Sequence, residues 1–266
     1  MPKTKSIIAQ LPSPETVRAE ELSAAYASGE IDLVCVLGPT ASGKTRYAVR
    51  LAEELGGEII SADSRQIFRG MDIGTGKDLA EYGDIPYHLI DILPAGSHYN
   101  VYQFQKDFMA AYEDIRSRGA VPILCGGTGL YINAVTTGYD FKESRPLSEE
   151  RAEGPRPSGL PQHTYFIGTL VSREVRNERI DRRLDARLEE GMVEEIRGLL
   201  DSGVPAETLI SYGLEYRFVT RYLLGEIGFD TMREQLSTAI HQFAKRQMTW
   251  FRGMERSGAR IHWVEV

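Results

Sequence analysis

The stretch that decides the fold is VCVLGPTASGKTRYAVRLAEEL, residues 34–55. An apolar, β-branched segment leads through a glycine-spaced turn into an amphipathic helical pattern, and the turn fits G-x-x-x-x-G-K-[ST] at Gly38, Gly43, Lys44 and Thr45. In such a loop the backbone N–H groups and the helix N-terminus converge on phosphate oxygens, and the threonine hydroxyl can bind Mg²⁺. The stretch therefore predicts a phosphate-binding loop, but it leaves open whose phosphate the loop holds.

Outward from this loop, the chain alternates strand-like and helix-like segments. This pattern predicts an α/β fold, with a P-loop NTPase-like parallel sheet covered by helices on both faces and a C-terminal helical part. The predicted strands are Leu33–Leu37, Glu58–Ser61, His88–Ile92, Val121–Cys125 and Tyr165–Gly168. The predicted helices are Pro14–Ala27, Lys44–Leu55, Val101–Arg118, Arg173–Ser202 in one or two pieces, and Phe229–Arg256.

The predicted organisation has four parts. Residues 1–30 form an N-terminal extension with a helix, and residues 31–139 form the P-loop core. Residues 140–163 are rich in Pro, Gly and charge without sustained periodicity, which predicts a loop or shortened insertion. Residues 164–266 supply a return strand and C-terminal helices that complete the core.

Composition excludes several classes of protein. A formal net charge of −7 over 266 residues argues against a protein that coats nucleic acid nonspecifically, so any nucleic-acid contact must be local. Cys35 and Cys125 lie in apolar runs that predict buried strands, which disfavours disulfide, zinc and nucleophile roles. The sequence shows neither a signal peptide nor a long apolar span, so we expect a cytoplasmic protein with no membrane partner.

Two further segments place polar residues at the carboxyl ends of predicted strands, where ligands bind in open parallel sheets. Asp63 follows the second strand; it could hold Mg²⁺ through water, accept a proton, or cap the following turn together with Ser64. Thr128 follows the glycine pair that ends VPILCGG. That strand does not end in an acid, and Asp91 is the only candidate for the acid that ATP hydrolysis usually uses, so the ATPase interpretation is weakened.

Six blocks together resemble the tRNA dimethylallyltransferases, also called tRNA isopentenyltransferases. The blocks stand in the order of that family, densely over about residues 33–135 and more loosely over 165–255: GPTASGKT, SADSRQIFRGMDIGTGK, PYHLIDIL, YNVYQFQKDF, PILCGGTGLY and KRQMTWFR. The resemblance implies a prenyltransferase that moves the dimethylallyl group from dimethylallyl diphosphate to the exocyclic amine of the adenine 3′ of the tRNA anticodon, with Mg²⁺ assisting.

The resemblance also implies which residues act on the donor. Asp63 matches the residue that takes the proton of the amine, and Thr40 matches the threonine beside the reacting carbon. Arg179 and Arg183 match arginines near the diphosphate and the tRNA channel, although interleaved acidic residues also fit a solvated helix face. The expected catalytic residues are Asp63, Thr40 and Arg179, and Thr45 is the expected metal ligand. The expected diphosphate-binding residues are Gly38, Thr40, Ala41, Ser42, Gly43, Lys44, Thr45 and Arg183.

The tRNA contacts implied by the resemblance come from both halves of the chain. Basic residues beside an aromatic in KRQMTWFR suit an unstacked anticodon loop, but Trp250 and Phe251 also fit a core role. In ISYGLEYRF, Glu215 stands where the family usually has glycine. The expected tRNA-binding residues are Asp63, Ser64, Arg65, Gln66, Thr128, Arg151, Tyr216, Arg217, Lys245, Arg246, Gln247, Thr249, Trp250 and Arg252.

The chain departs from the family pattern in length. Members carry a helical insertion of several dozen residues after the GGTGLY helix, whereas only residues 140–163 separate that helix from the next predicted strand here. The loss favours one alternative, prenylation of free AMP, ADP or ATP, which the retained KRQMTWFR opposes. A P-loop kinase or nucleotide-binding module remains as a further alternative on fold analogy alone. We expect a monomer.

Overall fold

The computed structural model describes residues 12–138 and 159–266. Its strands, in chain order, are β1 (Leu33–Leu37), β2 (Gly57–Ser61), β3 (Phe68–Arg69), β4 (Tyr87–His88), β5 (Leu93–Pro94), β6 (Val121–Gly126), β7 (Thr164–Leu170) and β8 (Ile261–Glu265). Six of them form a parallel sheet in the order β4-β2-β6-β1-β7-β8, and β3 pairs with β5 separately. The predicted parallel α/β sheet is therefore confirmed.

Nine α-helices surround the sheet in the described part of the chain. They are α1 (Ala19–Ser28), α2 (Lys44–Leu55), α3 (Val101–Ser117), α4 (Gly129–Asn133), α5 (Arg173–Glu189), α6 (Met192–Asp201), α7 (Ala206–Tyr212), α8 (Leu214–Leu223) and α9 (Phe229–Arg256). A 3₁₀ turn spans Leu79–Tyr82, and a π-helical turn, Ala134–Gly138, follows α4. Within these residues, no helix is long and apolar enough to cross a membrane.

The core lies on both faces of the sheet. In β1 every residue is buried, and successive side chains enter opposite faces, as the alternation of a strand requires. Leu33, Cys35 and Leu37 join the cluster that includes residues of α3, α5 and α9. Val34 and Val36 join the cluster that includes residues of α1 and α2. This double cover explains why the strands read as continuous apolar runs.

The phosphate loop and its helix form as the sequence predicts. Gly43, with φ of +81°, caps the N-terminus of α2, and Gly56, with φ of +60°, ends the helix by donating to the carbonyl of Ala52. Both backbones are left-handed, a conformation that glycine adopts without strain. The free N–H groups of the first turn of α2 therefore point toward the carboxyl edge of the sheet.

Several predicted boundaries are wrong. The strand predicted at residues 88–92 stops at His88, because Leu89 and Asp91 take positive φ angles of 63° and 56° and turn the chain toward β5. Helix α1 begins at Ala19, five residues later than predicted. Strand β8 and helices α7 and α8 were not predicted, whereas the helical stretch predicted at 173–202 forms as two pieces. Most of the loop predicted at 140–163 lies outside the described residues.

Candidate active site

A cavity of about 630 Å³ lies at the carboxyl edge of the sheet. The loops after β1, β2 and β6 form one side of it, and helices α5 and α9 form the other. The structure thus brings together residues from three predicted motifs and from the C-terminal half. The predicted site residues that line the cavity are Thr40, Ala41, Gly43, Lys44, Thr45, Asp63, Arg65, Gln66, Thr128, Arg179, Arg183 and Gln247.

Two residues of the phosphate loop, Gly38 and Ser42, pack against β7. The Ser42 side chain is buried, and its hydroxyl lies 2.6 Å from the hydroxyl of Thr169 on β7. A Cβ on Gly38 would lie 2.1 Å from the same Thr169 hydroxyl oxygen. Neither residue lines the cavity with a side chain, so any contribution of Gly38 and Ser42 to anion binding must come through their backbone.

The cavity concentrates positive charge. Burial lowers the pKa of the Lys44 ammonium, while the Asp63 carboxylate acts in the opposite direction. Burial and then the neighbouring Arg187 guanidinium lower the pKa of Arg183 to about 10. The Arg183 guanidinium donates to the Thr40 hydroxyl, and Arg179 lies against Gly43. Crowded cations whose charged forms are disfavoured gain most from a bound anion, so this side of the cavity suits a diphosphate.

Asp63 lies just after β2 and lines the same cavity as the phosphate loop. Its carboxylate accepts a hydrogen bond from the backbone N–H of Arg65 at 3.0 Å, and its own N–H donates to the Ser61 hydroxyl at 3.3 Å. The hydroxyl of Thr128 accepts from the backbone N–H of Ser64 at 3.2 Å. These bonds join the ends of β2 and β6, and they place a carboxylate and two hydroxyl-bearing residues beside the cation-rich wall.

The Arg65 side chain is clamped inside the cavity. Its guanidinium lies 4.7 Å from the ring centre of Phe243 on α9 and donates to the carboxylate of Glu215 on α8 at 3.2 Å. The side chain of Glu215 is buried. The residue that departs from the family pattern therefore orients a residue that the resemblance assigns to tRNA.

Two residues that the resemblance assigns to tRNA are buried in this structure. Tyr216 is fully buried, and its hydroxyl donates to the carboxylate of Glu195 at 2.7 Å. Gln247 is also buried, and both atoms of its amide bond to protein backbone, at Thr40 and at Gly127. Both side chains are therefore hydrogen-bonded to partners within the fold.

Among the other expected tRNA contacts, Asp63, Arg65, Gln66 and Thr128 line the cavity, whereas those on α8 and α9 do not. Lys245, Arg246, Thr249 and Trp250 are exposed on α9, and Arg252 is half-buried. Arg217 is exposed on α8. Arg151 lies outside the described residues. The KRQMTWFR block thus directs Gln247 and the fully buried Phe251 into the fold and exposes Lys245 and Arg246 to solvent.

Sequence reasoning missed several cavity residues. Arg187 stands four residues after Arg183, so the helical spacing that selected Arg179 and Arg183 also selects it. Thr75 and Gly76 belong to a quoted motif to which no role was given. Asp78, Glu81 and Phe243 carried no comparable signal, because only the tertiary fold brings them to the cavity.

The segment that carries Thr75 and Gly76 is anchored from two sides. The carboxylate of Glu195 on α6 accepts hydrogen bonds from the backbone N–H groups of Asp72, Ile73 and Gly74 at 2.8, 2.7 and 3.1 Å. The buried ammonium of Lys77 donates to the carbonyl of Phe68 at 2.6 Å and pairs with the carboxylates of Asp72 and Asp91. These bonds fix residues 72–77, which lack regular secondary structure, so that Thr75 and Gly76 keep their place in the cavity lining.

Replacing Glu195 with glutamine should make residues 72–74 more mobile. The amide that replaces one carboxylate oxygen faces N–H donors, so hydrogen bonds to a charged acceptor are lost, at a cost of about 1.5–3 kcal/mol of unfolding free energy. We expect faster amide hydrogen exchange at residues 72–74 and a lower melting temperature. Tyr216→Phe is the matched control, since it removes only one donor to Glu195. Unchanged exchange at 72–74 in the glutamine variant would contradict the anchoring role.

The fold and cavity define a class of protein: an α/β P-loop protein whose phosphate loop faces an arginine-rich helix and a carboxylate, with no acid at the end of β6. Asp91, the candidate for such an acid, pairs with Lys77 and does not line the cavity.

Comparison with known proteins gives the family. A family model described as IPP transferase matches residues 66–156 and 141–254, and one described as isopentenyl transferase matches 31–82. The tRNA dimethylallyltransferase 1 of Parabacteroides distasonis is 48% identical over 285 residues, covering 88% of this chain and 92% of its own length. That of Porphyromonas gingivalis is 49% identical over 283 residues, covering 88% and 94%. The chain belongs to the tRNA dimethylallyltransferase family.

A solved structure agrees with this assignment. The full-length tRNA isopentenylpyrophosphate transferase of Bacillus halodurans superposes with a TM-score of 0.75 at 31% identity, covering 88% of this chain and 89% of that chain. The alignment with the Parabacteroides relative spans 285 residues, more than this whole chain of 266, so the relative carries residues that are missing here. The two segments matched by the IPP transferase model meet at residues 141–156, where the shortened insertion is predicted.

Proposed function

We propose that this protein transfers the dimethylallyl group of dimethylallyl diphosphate to the N6 amine of the adenine 3′ of the anticodon in tRNA and releases diphosphate. The observation that carries the proposal is the meeting of Asp63 with the phosphate loop in one cavity, in a chain of the tRNA dimethylallyltransferase family. A kinase or ATPase would be expected to present an acid at the end of β6, where Gly126 and Gly127 stand instead.

The chemistry follows from the two sides of the cavity. The N6 amine is a weak nucleophile because its lone pair is delocalised into the purine ring. As the new C–N bond forms, the proton of the amine passes to the Asp63 carboxylate, and the C–O bond breaks with its electron pair on the diphosphate. Lys44, Arg179, Arg183 and the backbone N–H groups of the loop stabilise the charge that develops on this leaving group.

Mg²⁺ fits the cavity as a partner of the diphosphate. Thr45 lines the cavity and offers a hydroxyl, and the described residues hold no cluster of three or more acidic, histidine or cysteine ligands. An ion held mainly by diphosphate oxygens and water, with Thr45 as the protein ligand, matches the preference of Mg²⁺ for oxygen ligands. When bound, the ion would neutralise charge on the diphosphate.

Product analysis tests the acceptor atom. Unmodified tRNA is incubated with labelled dimethylallyl diphosphate, digested to nucleosides and examined by mass spectrometry. We expect the added mass on the adenosine 3′ of the anticodon, and no product when that adenosine is replaced by guanosine, which lacks the N6 amine. Labelling of the guanosine tRNA, or of adenosines elsewhere, would refute the proposed acceptor.

Salt dependence reports how the protein holds tRNA. With a net charge of −7, we expect phosphate contacts to be limited to the outward basic residues of α9 and the arginines of α5. Each contact contributes roughly 0.7–0.9 to the slope of log affinity against log salt, so we expect a slope equivalent to about two to four contacts. A minimal anticodon stem-loop should react almost as well as whole tRNA. A steep slope would mean that a further surface grips the tRNA.

A further inference from the structure

One side of helix α9 contacts the loops that follow three strands of the sheet. Phe243 packs against the guanidinium of Arg65, which follows β2. Gln247, one turn later, reaches the loops after β1 and β6. Trp250 packs directly against Gly129, where α4 begins, since a Cβ on that glycine would lie 2.2 Å from the indole ring. Helix α9 therefore connects the three loops at the carboxyl edge of the sheet.

Gln247 makes the central contact. Its side-chain oxygen accepts a hydrogen bond from the backbone N–H of Thr40 at 2.8 Å, and its side-chain NH₂ donates to the carbonyl of Gly127 at 3.0 Å. The side chain is only 8% exposed. Each end of the amide thus meets a complementary backbone group, which fixes the amide orientation and links the phosphate loop to the end of β6.

The fit of Gln247 depends on glycine at position 127. A Cβ there would lie 2.4 Å from the NH₂ nitrogen of Gln247, closer than any packed carbon can approach. The hydrogen bond to the Gln247 oxygen engages the backbone N–H of Thr40. The Thr40 hydroxyl is then presented to Arg183. Side chain and backbone of Thr40 are held by different helices, Arg183 on α5 and Gln247 on α9.

We propose that Gln247 is a positioning residue for the transfer reaction and does not contact tRNA. It sets the distance between Thr40, on the donor side, and the end of β6 that carries Thr128, on the acceptor side. The inference rests on the proposed function. It assigns the inward part of the KRQMTWFR block to the geometry of the cavity, and it leaves only the exposed residues of that block for RNA.

Steady-state kinetics of Gln247→Ala, with tRNA binding measured separately, test the inference. Misplacement of reacting groups by about 1 Å lowers rates by up to 10²-fold, so we expect kcat to fall by about 10- to 100-fold while the Kd for tRNA stays unchanged. Gln242→Ala is the matched control, because Gln242 is an exposed glutamine on the same helix, away from the cavity. A raised Kd for tRNA with an unchanged kcat would overturn the inference and restore a tRNA contact.

A second variant keeps the test decisive if Gln247→Ala unfolds. Gln247→Glu retains an acceptor for the N–H of Thr40 but sets an oxygen against the carbonyl of Gly127, so kcat should fall, again with no change in tRNA affinity. If the wild-type enzyme is active and both Gln247 variants keep its kcat, the positioning role is refuted but the proposed function stands. If wild type fails to prenylate any RNA, the proposed function fails, and titration with inorganic diphosphate decides the inference. Gln247→Ala should then weaken diphosphate binding by about tenfold, and unchanged binding would overturn the positioning role.

Discussion

Replacing Asp63 with asparagine is expected to lower kcat by about 10²- to 10⁴-fold while dimethylallyl diphosphate still binds. Asparagine keeps the shape of the side chain and an oxygen that can accept from the N–H of Arg65, so the turn after β2 should survive. The carboxylate that receives the proton of the amine is lost. Calorimetric titration with the diphosphate and single-turnover kinetics with tRNA separate binding from chemistry.

The role assigned to Asp63 has a clear rival, which is metal binding. If Asp63→Asn abolished binding of the diphosphate, and excess Mg²⁺ restored both binding and turnover, then Asp63 would act through the ion. Asp84→Asn provides the matched control, since Asp84 is an exposed acidic residue outside the cavity. Its variant should behave as wild type in both measurements.

Replacing Lys44 with methionine is expected to weaken binding of dimethylallyl diphosphate and lower kcat/KM by about 10²- to 10³-fold. Lys44 stands at the first position of α2, where its ammonium and the free N–H groups of the helix face the same cavity. Because burial already disfavours the charged ammonium, methionine of similar length should leave the fold intact or make it more stable. Titration with inorganic diphosphate measures the first effect, and thermal unfolding measures the second.

Lys106→Met is the matched control for this variant, because Lys106 is exposed on α3 and does not line the cavity. If the Lys44→Met protein binds diphosphate as tightly as wild type does, Lys44 does not contribute to diphosphate binding and the prediction is wrong. Strong loss of binding with normal thermal stability would support the view that Lys44 serves the ligand and not the fold.

The fold could be predicted from the sequence where local patterns act alone. β1 and α2 form with their predicted bounds, because an apolar run buried on both faces and a glycine-capped amphipathic helix each carry their own signal. β8 could not be predicted in this way. Its five residues, IHWVE, form a short stretch without strict alternation of polarity at a sheet edge, and their place beside β7 depends on pairing across about ninety residues of chain.

The same contrast between local pattern and long-range packing separates the site residues that could be predicted from those that could not. Lys44, Asp63 and Thr128 were found because each follows a strand of the sheet, so topology alone brings them together. Tyr216 and Gln247 were assigned to tRNA from a motif, and their direction could not be read from sequence. Each lies on a helix whose inward face is set by packing against distant elements: Glu195 for Tyr216, and Thr40 with Gly127 for Gln247.

One competition assay tests the central claim most directly. Wild-type protein is incubated with labelled dimethylallyl diphosphate and Mg²⁺ in the presence of unmodified tRNA, AMP and ATP together, and the label is followed into each acceptor. We predict that the label enters tRNA, that the free nucleotides remain unlabelled, and that release of diphosphate matches tRNA labelling. Efficient labelling of AMP or ATP, with none in tRNA, would contradict the account and make this chain a prenyltransferase of free nucleotides.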